Sequence, residues 1–230
     1  MCINKGLIML YRTAIRYALN RFIKEDCYLI EHDVNERSQT HKIAEYLQVF
    51  FSCYNTDCEY NKNLDDHKEL DFSDIVTSIR DFIGHRRSNS TLINYDDLYN
   101  ALEVLEAEMR EAVPVGMGAE GEYEYLLVIR QGASQKKYIR RVFPDIIVHC
   151  RGTNINNKIV IEAKKHSNKD AVARLFDRIK LGLFTKKGGK YKYDIGFFID
   201  IPDRVSSTAK IRFEKDKLVK GSNVFLVTIS

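Results

Sequence analysis

Two short stretches carry charged side chains at spacings that suit chemistry. In Phe143-Pro144-Asp145-Ile146-Ile147-Val148-His149 a carboxylate follows a proline and opens an apolar run. In Ile159-Val160-Ile161-Glu162-Ala163-Lys164 an apolar run ends on a carboxylate and an ammonium two positions apart. Alternate side chains of a strand share a face. Ile159, Ile161 and Ala163 therefore point one way, and Val160, Glu162 and Lys164 the other. If the turn-forming residues 151–157 fold the two runs into a hairpin-like pair, Asp145 and Lys164 arrive at the same sheet edge. Two carboxylates and an ammonium there suit phosphodiester hydrolysis. The carboxylates can hold one or two Mg²⁺ ions, which prefer oxygen ligands. Such ions polarise a phosphate and lower the pKa of a bound water. Lys164 can steady the attacking water or the developing charge. No covalent nucleophile is required.

The elements that must position these groups follow from periodicity. Ile8, Tyr11, Ile15, Leu19 and Phe22 recur at helical spacing over 8–24. A second helix is expected from near Val34, with Asp33 as N-cap and Glu36 three residues on in a capping box. Ile43, Tyr46, Leu47, Phe50 and Phe51 form its apolar face. Residues 53–60 read as a short strand. Residues 64–113 read as mainly helical, with Ile75, Ile79, Phe82 and Ile83 on one helix, Gly84 at its C-cap, a polar break over 86–90, and Leu98, Leu102, Leu105 and Met109 on the next. The pattern breaks over 114–121. Strands are expected over 122–130, from the turn at 132–135 through Arg140 and Arg141 to Cys150, and over 158–164. A helix over 169–183 presents Val172, Leu175, Phe176, Ile179 and Leu183. A lysine-rich loop spans 186–192, a strand 194–201, a helix or irregular segment follows, and a strand closes the chain over 223–229. The order points to an α/β fold, a mixed sheet with helices on both faces.

The chain has 230 residues and a formal charge of +4, which is a cancellation. Residues 134–192 hold 16 Lys and Arg against 4 Asp and Glu, whereas residues 1–133 hold 14 against 23. The basic segment favours a polyanionic partner. No apolar stretch reaches the roughly 18 residues of a membrane span, and residues 1–10 lack a secretory cleavage site. Five irregularly spaced cysteines fit reduced thiols in a cytoplasmic protein. His149-Cys150 has no second pair at zinc-ligand spacing.

Pro144-Asp145, with Glu162-Ala163-Lys164 beginning seventeen positions after Asp145, resembles the PD-(D/E)xK nuclease superfamily of restriction endonuclease-like proteins. The resemblance covers the helix at 34–51, the strand at 53–60, the motif strands, the helix at 169–183 and the strand at 194–201. It implies an αβββαβ core in a single domain, with 64–133 largely an insertion and 64–121 its mainly helical part. It implies metal ligation by Asp145, Glu162 and the Ala163 carbonyl, catalysis by Lys164, and Mg²⁺ as cofactor with Mn²⁺ as substitute. Members often place a Glu facing the metal near the start of the first core helix, and Glu36, at the matching position, is a further expected metal ligand and catalytic residue. RecB-like exonucleases carry Gln-x-x-x-Tyr in the helix after the Lys; residues 169–183 contain no Gln, which weighs against that branch.

The function expected is thus a metal-dependent nuclease acting on duplex or branched DNA, an endonuclease in a restriction, defence or repair role. A homodimer would let it cut both strands. Two alternatives stay open: a nucleic-acid-binding module without cleavage, and a protein-interaction subunit of the same fold. Arg140, Arg141, Lys165, Lys169, Lys186, Lys187 and Lys190 are the expected phosphate contacts. Glu59, as an outer ligand, and His149, two pairs along from Asp145, are further expected neighbours of the site.

Overall fold

The computed structural model describes residues 4–64, 66–84, 94–114, 128–131, 136–206, 208–219 and 221–230. Helix α1 (Lys5–Glu25) starts on Asn4, whose side chain accepts the Gly6 N–H. It buries Tyr11, Ala14, Ile15, Ala18, Leu19 and Phe22 at helical spacing. A short α2 (Cys27–Glu31), absent from the periodicity, follows. Asp33 then takes a φ of 50°, in the left-handed region. The next helix, α3 (Glu36–Phe50), begins on Asn35, whose side chain accepts the Ser38 N–H at 2.8 Å. This corrects the expected capping box. Because α2 and the reversal at Asp33 use up the intervening residues, Asn35 is the cap and Glu36 the first helical residue. The Glu36 carboxylate is thereby left for other partners.

Strand β1 (Asn55–Cys58) opens the main sheet. A long excursion comes next: β2 (Lys62–Asn63), β3 (Asp66–His67), β4 (Glu69–Asp71), α4 (Phe72–Gly84), α5 (Tyr95–Glu111), β5 (Val113–Pro114), β6 (Val128–Gln131) and β7 (Lys136–Arg141). Within it β4-β7-β6-β5 form a separate four-stranded sheet. Gly84, expected as a C-cap, is instead the last helical residue of α4. The polar break at 86–90, the break at 115–121, residues 122–127 and the turn at 132–135 lie outside the described residues. The chain then re-enters the main sheet through β8 (Ile146–His149), β9 (Ile159–Lys165), α6 (Ala171–Thr185), β10 (Ile195–Ile201), β11 (Ile211–Lys215) and β12 (Val224–Ile229).

The single strand expected to run past Arg140 to Cys150 is two strands in two sheets. Val142 gives its N–H to the Lys68 carbonyl at 2.9 Å, and Pro144 has no N–H to offer a ladder. The segment expected to be helical or irregular before the last strand contains β11, paired antiparallel with β12.

The main sheet has the order β1-β8-β9-β10-β12-β11. It is antiparallel across β1, β8 and β9, parallel across β9, β10 and β12, and antiparallel again at β11. This is an α/β fold with a mixed central sheet between helices. Ile159, Ile161, Ala163, Phe197 and Ile199 face α1 and α3. Ile147, Val160, Phe198 and Val224 face α6, with α4 and α5 packed in the same cluster. Each fully buried large apolar side chain contributes roughly 1.5–3 kcal/mol. Gly152, at φ 75°, makes the turn between β8 and β9. Gly182 lets α6 pass against Val219, whose Cγ1 would lie 2.6 Å from an added Cβ. Among the described residues no helix is long and apolar enough to cross a membrane. Cys27, Cys53, Cys58 and Cys150 are free thiols.

Candidate active site

The antiparallel register Ile146↔Ile161 brings Asp145, one residue before β8, beside the end of β9. Its Oδ2 accepts the Ala163 N–H at 2.8 Å, and the Glu59 N–H donates to its backbone carbonyl at 3.2 Å. Asp145 is therefore held by backbone donors rather than by a cation. Alternation along β9 sends Glu162 and Lys164 to the face covered by α6, as the spacing predicts.

Lys164 Nζ donates to Glu36 Oε1 at 3.0 Å and lies 3.2 Å from Asp177 Oδ2. The other Glu36 oxygen accepts the Lys165 N–H at 3.1 Å. The N-terminus of α3 is thus tied to the end of β9 by one carboxylate. On α6, Asp177 and Lys180 lie three residues apart and share a helix face. Lys180 Nζ stands 2.9 Å from Asp177 Oδ1 and 2.8 Å from Glu162 Oε2. A continuous charged chain runs Glu36–Lys164–Asp177–Lys180–Glu162, with Asp145 alongside. Glu162 is 1% exposed, and its Oε1 is buried without a hydrogen-bond partner.

Burial dominates the electrostatics. It pushes the Asp145 carboxyl up to about 6, against the pull of Lys180, the Ala163 N–H and Lys164. It pushes Glu162 well above the usual carboxylate range, and Lys180 only partly offsets this. Asp177 is equally buried but is lowered, because both Lys180 and Lys164 contact it. Those two lysines are in turn raised despite their burial, chiefly by Asp177. The lysines thus stabilise the charge of Asp177, and Asp145 and Glu162 are left with high proton affinity. Unequal carboxylates of this kind are a mark of functional sites.

Asp177 and Lys180 were not among the expected site residues. The available signal was a pair of opposite charges, three apart, interrupting the apolar face of α6.

The other expected residues are placed as follows. Ala163 contributes its N–H to Asp145, while its methyl lies in the core under α1 and α3. The Glu59 side chain turns away to Arg37 Nε at 2.7 Å. His149 lies at the far end of β8, buried, with Nε2 2.9 Å from Asp57 Oδ2 and its ring against Tyr60. Asp57 also pairs with Arg151. His149 belongs to that second cluster and not to the carboxylate site.

Arg140 lies 3.1 Å from Glu108 Oε2 and over the Phe72 ring, so it ties β7 to α5 and α4. Arg141 closes β7 opposite Glu69. Lys165 Nζ is held by Asp33 and by the carbonyl of Val34. Lys169 is exposed near the site, its Nζ on the His166 carbonyl at 2.6 Å. Lys186, Lys187 and Lys190 are exposed after the C-terminus of α6, where Tyr193 and Asp194 bond back to Phe184 and Asn157. That is the opposite end of β9 from Lys164, about 20 Å away at 3.3 Å per strand residue.

Among the described residues no three His, Cys, Asp or Glu side chains group so as to hold a metal ion. No protein-family model, curated protein or solved structure matches the chain.

Proposed function

We propose that the protein is a metal-dependent nuclease that hydrolyses phosphodiester bonds of DNA on a restriction endonuclease-like core. The observation that carries this is the meeting of Asp145, Glu162, Lys164 and Glu36 at one end of β8 and β9. The order α3, β1, β8, β9, α6, β10, with β1 to β10 adjacent in the sheet, supports the core.

The residues fit a hard divalent cation. Asp145 and Glu162 offer only oxygen, both have raised proton affinity, and Glu162 Oε1 is a buried oxygen with no partner. Mg²⁺ commonly uses one or two carboxylates together with substrate phosphate rather than a cage of side chains. Asp145, Glu162 and the Ala163 carbonyl would hold it, and Mn²⁺ would substitute. When bound, such an ion supplies Lewis-acid polarisation of the scissile phosphate.

The remaining work falls to the chain's own groups. Lys164 Nζ, kept charged by Asp177 and Glu36, holds the attacking water or a phosphate oxygen. Glu36 anchors that ammonium from α3. Lys169, exposed beside the site, contacts the phosphate backbone.

The test is incubation with linear, circular and branched DNA plus Mg²⁺ or Mn²⁺, against EDTA and Lys164→Ala controls. Metal-dependent cleavage lost in Lys164→Ala supports the reading; no cleavage of any substrate by the parent chain refutes it. One observation favours a second reading, a DNA-binding module without cleavage. Lys180 already supplies Glu162 with a cation. Duplex binding retained without any Mg²⁺ or Mn²⁺ binding would select that module.

A further inference from the structure

Lys180 is a second ammonium in the carboxylate cluster, and the nuclease motif does not account for it. Its side chain is 8% exposed. An ammonium withdrawn from water that far is retained only where anions and hydrogen bonds replace its hydration. Here Glu162 Oε2 at 2.8 Å and Asp177 Oδ1 at 2.9 Å do so. Asp177 is fixed from the other side by Lys164 at 3.2 Å. One of the two anions that hold Lys180 is therefore a carboxylate assigned above to the metal.

Charge arithmetic constrains what else can enter. With every group ionised, Glu36, Asp145, Glu162 and Asp177 carry four negative charges, and Lys164 and Lys180 carry two positive ones. One divalent cation cancels the remainder. A second would leave an excess of positive charge in a region sheltered from solvent, where like charges repel more strongly than in water.

We infer that Lys180, pinned by Asp177, holds a cation position in the cluster, so that the site binds a single divalent ion in competition with this ammonium. The inference rests on the nuclease reading for the identity of the ion. Asp177 is a positioning residue in this arrangement, and the partnerless Glu162 Oε1 is the oxygen that remains for the ion.

The experiment is titration of the full chain with Mn²⁺ in the absence of DNA, by calorimetry and by electron paramagnetic resonance. The parent is compared with Lys180→Gln, Lys180→Met and Lys180→Arg, with thermal unfolding as the folding control. The parent is expected to bind one Mn²⁺. The two neutral variants are expected to bind it at least about tenfold more tightly, and Lys180→Arg to resemble the parent.

Two Mn²⁺ per parent chain would overturn the inference, whatever the variants do. One Mn²⁺ with folded neutral variants that bind no more tightly would also overturn it, while leaving the nuclease reading intact. No Mn²⁺ binding by any form would overturn the inference, and the nuclease reading would then stand or fall on the DNA cleavage assay alone.

Discussion

Asp145→Asn is expected to make the metal-free protein more stable while abolishing cleavage. The Asp145 carboxyl is partly buried, receives one backbone N–H, and contacts no cation; its pKa rises from an ordinary 3.8 to about 6. A group whose folded pKa is raised binds protons more tightly in the folded than in the unfolded chain. Between about pH 4 and pH 6 folding therefore takes up a proton, and stability falls as pH rises through that window. At 1.36 kcal/mol per pKa unit the loss is about 3 kcal/mol once the carboxyl is ionised at pH 7. That figure already includes the attraction of Lys180 and Lys164. Asparagine removes the charge and keeps an oxygen for the Ala163 N–H. In urea denaturation with EDTA, the variant should exceed the parent by about 3 kcal/mol at pH 7. The gap should close as the pH is lowered towards 4. A variant that is equally or less stable at pH 7, or a gap that does not depend on pH, would refute the reasoning. Stability gained as activity is lost is the expected trade at a site that keeps a carboxylate in an unfavourable place.

Three further outcomes are expected. Lys164→Ala should lower the initial cleavage rate at least about 100-fold with an unchanged circular dichroism spectrum; a rate within a few-fold of the parent would remove Lys164 from the chemistry. Arg140→Ala should leave duplex affinity in fluorescence anisotropy within about twofold, because its guanidinium is engaged by Glu108 and Phe72; a tenfold loss would return Arg140 to the DNA interface. Phe197→Ala should cost about 3–5 kcal/mol in urea unfolding, since Phe197 is fully buried on β10 and packs against Phe213 and Phe225; a loss under 1 kcal/mol would contradict that packing.

Local periodicity carried much of the architecture. The apolar residues of α1 and α6 repeat at helical spacing, and the runs 146–149 and 159–165 announce strands on either side of a turn. The meeting of Asp145 with the end of β9 follows from that hairpin alone. Features that depend on distant partners were not legible. Nothing local says that β7 joins β4 while β8 joins β1, because that choice is made by pairing with strands far away in sequence. The same holds for β11, which is a strand because β12 lies beside it. The start of α3 was displaced because the short α2 and the left-handed Asp33 leave little trace in periodicity. Asp177 and Lys180 were hidden among the buried, mostly apolar residues of α6. The lysines after α6 looked close to the motif in sequence, yet the antiparallel run of the helix carries them to the other end of the sheet.

The hydrogen bond from the Glu59 N–H to the Asp145 carbonyl closes a stem. Everything between those two residues, the four-stranded sheet and α4 and α5 included, hangs from neighbouring antiparallel strands in the position of a hairpin turn. The entropy of closing such a loop grows only with the logarithm of its length, about 0.6 kcal/mol per doubling. The size of the excursion is therefore weakly constrained by thermodynamics. Its constraint is to roof α6, where Leu175 and Ile179 share one apolar cluster with Phe72, Ile75 and Leu98. Any replacement that roofs the helix and returns the chain to Pro144 leaves the carboxylates where they stand. Chain length in this region and the chemistry at the foot of the stem are free to change independently.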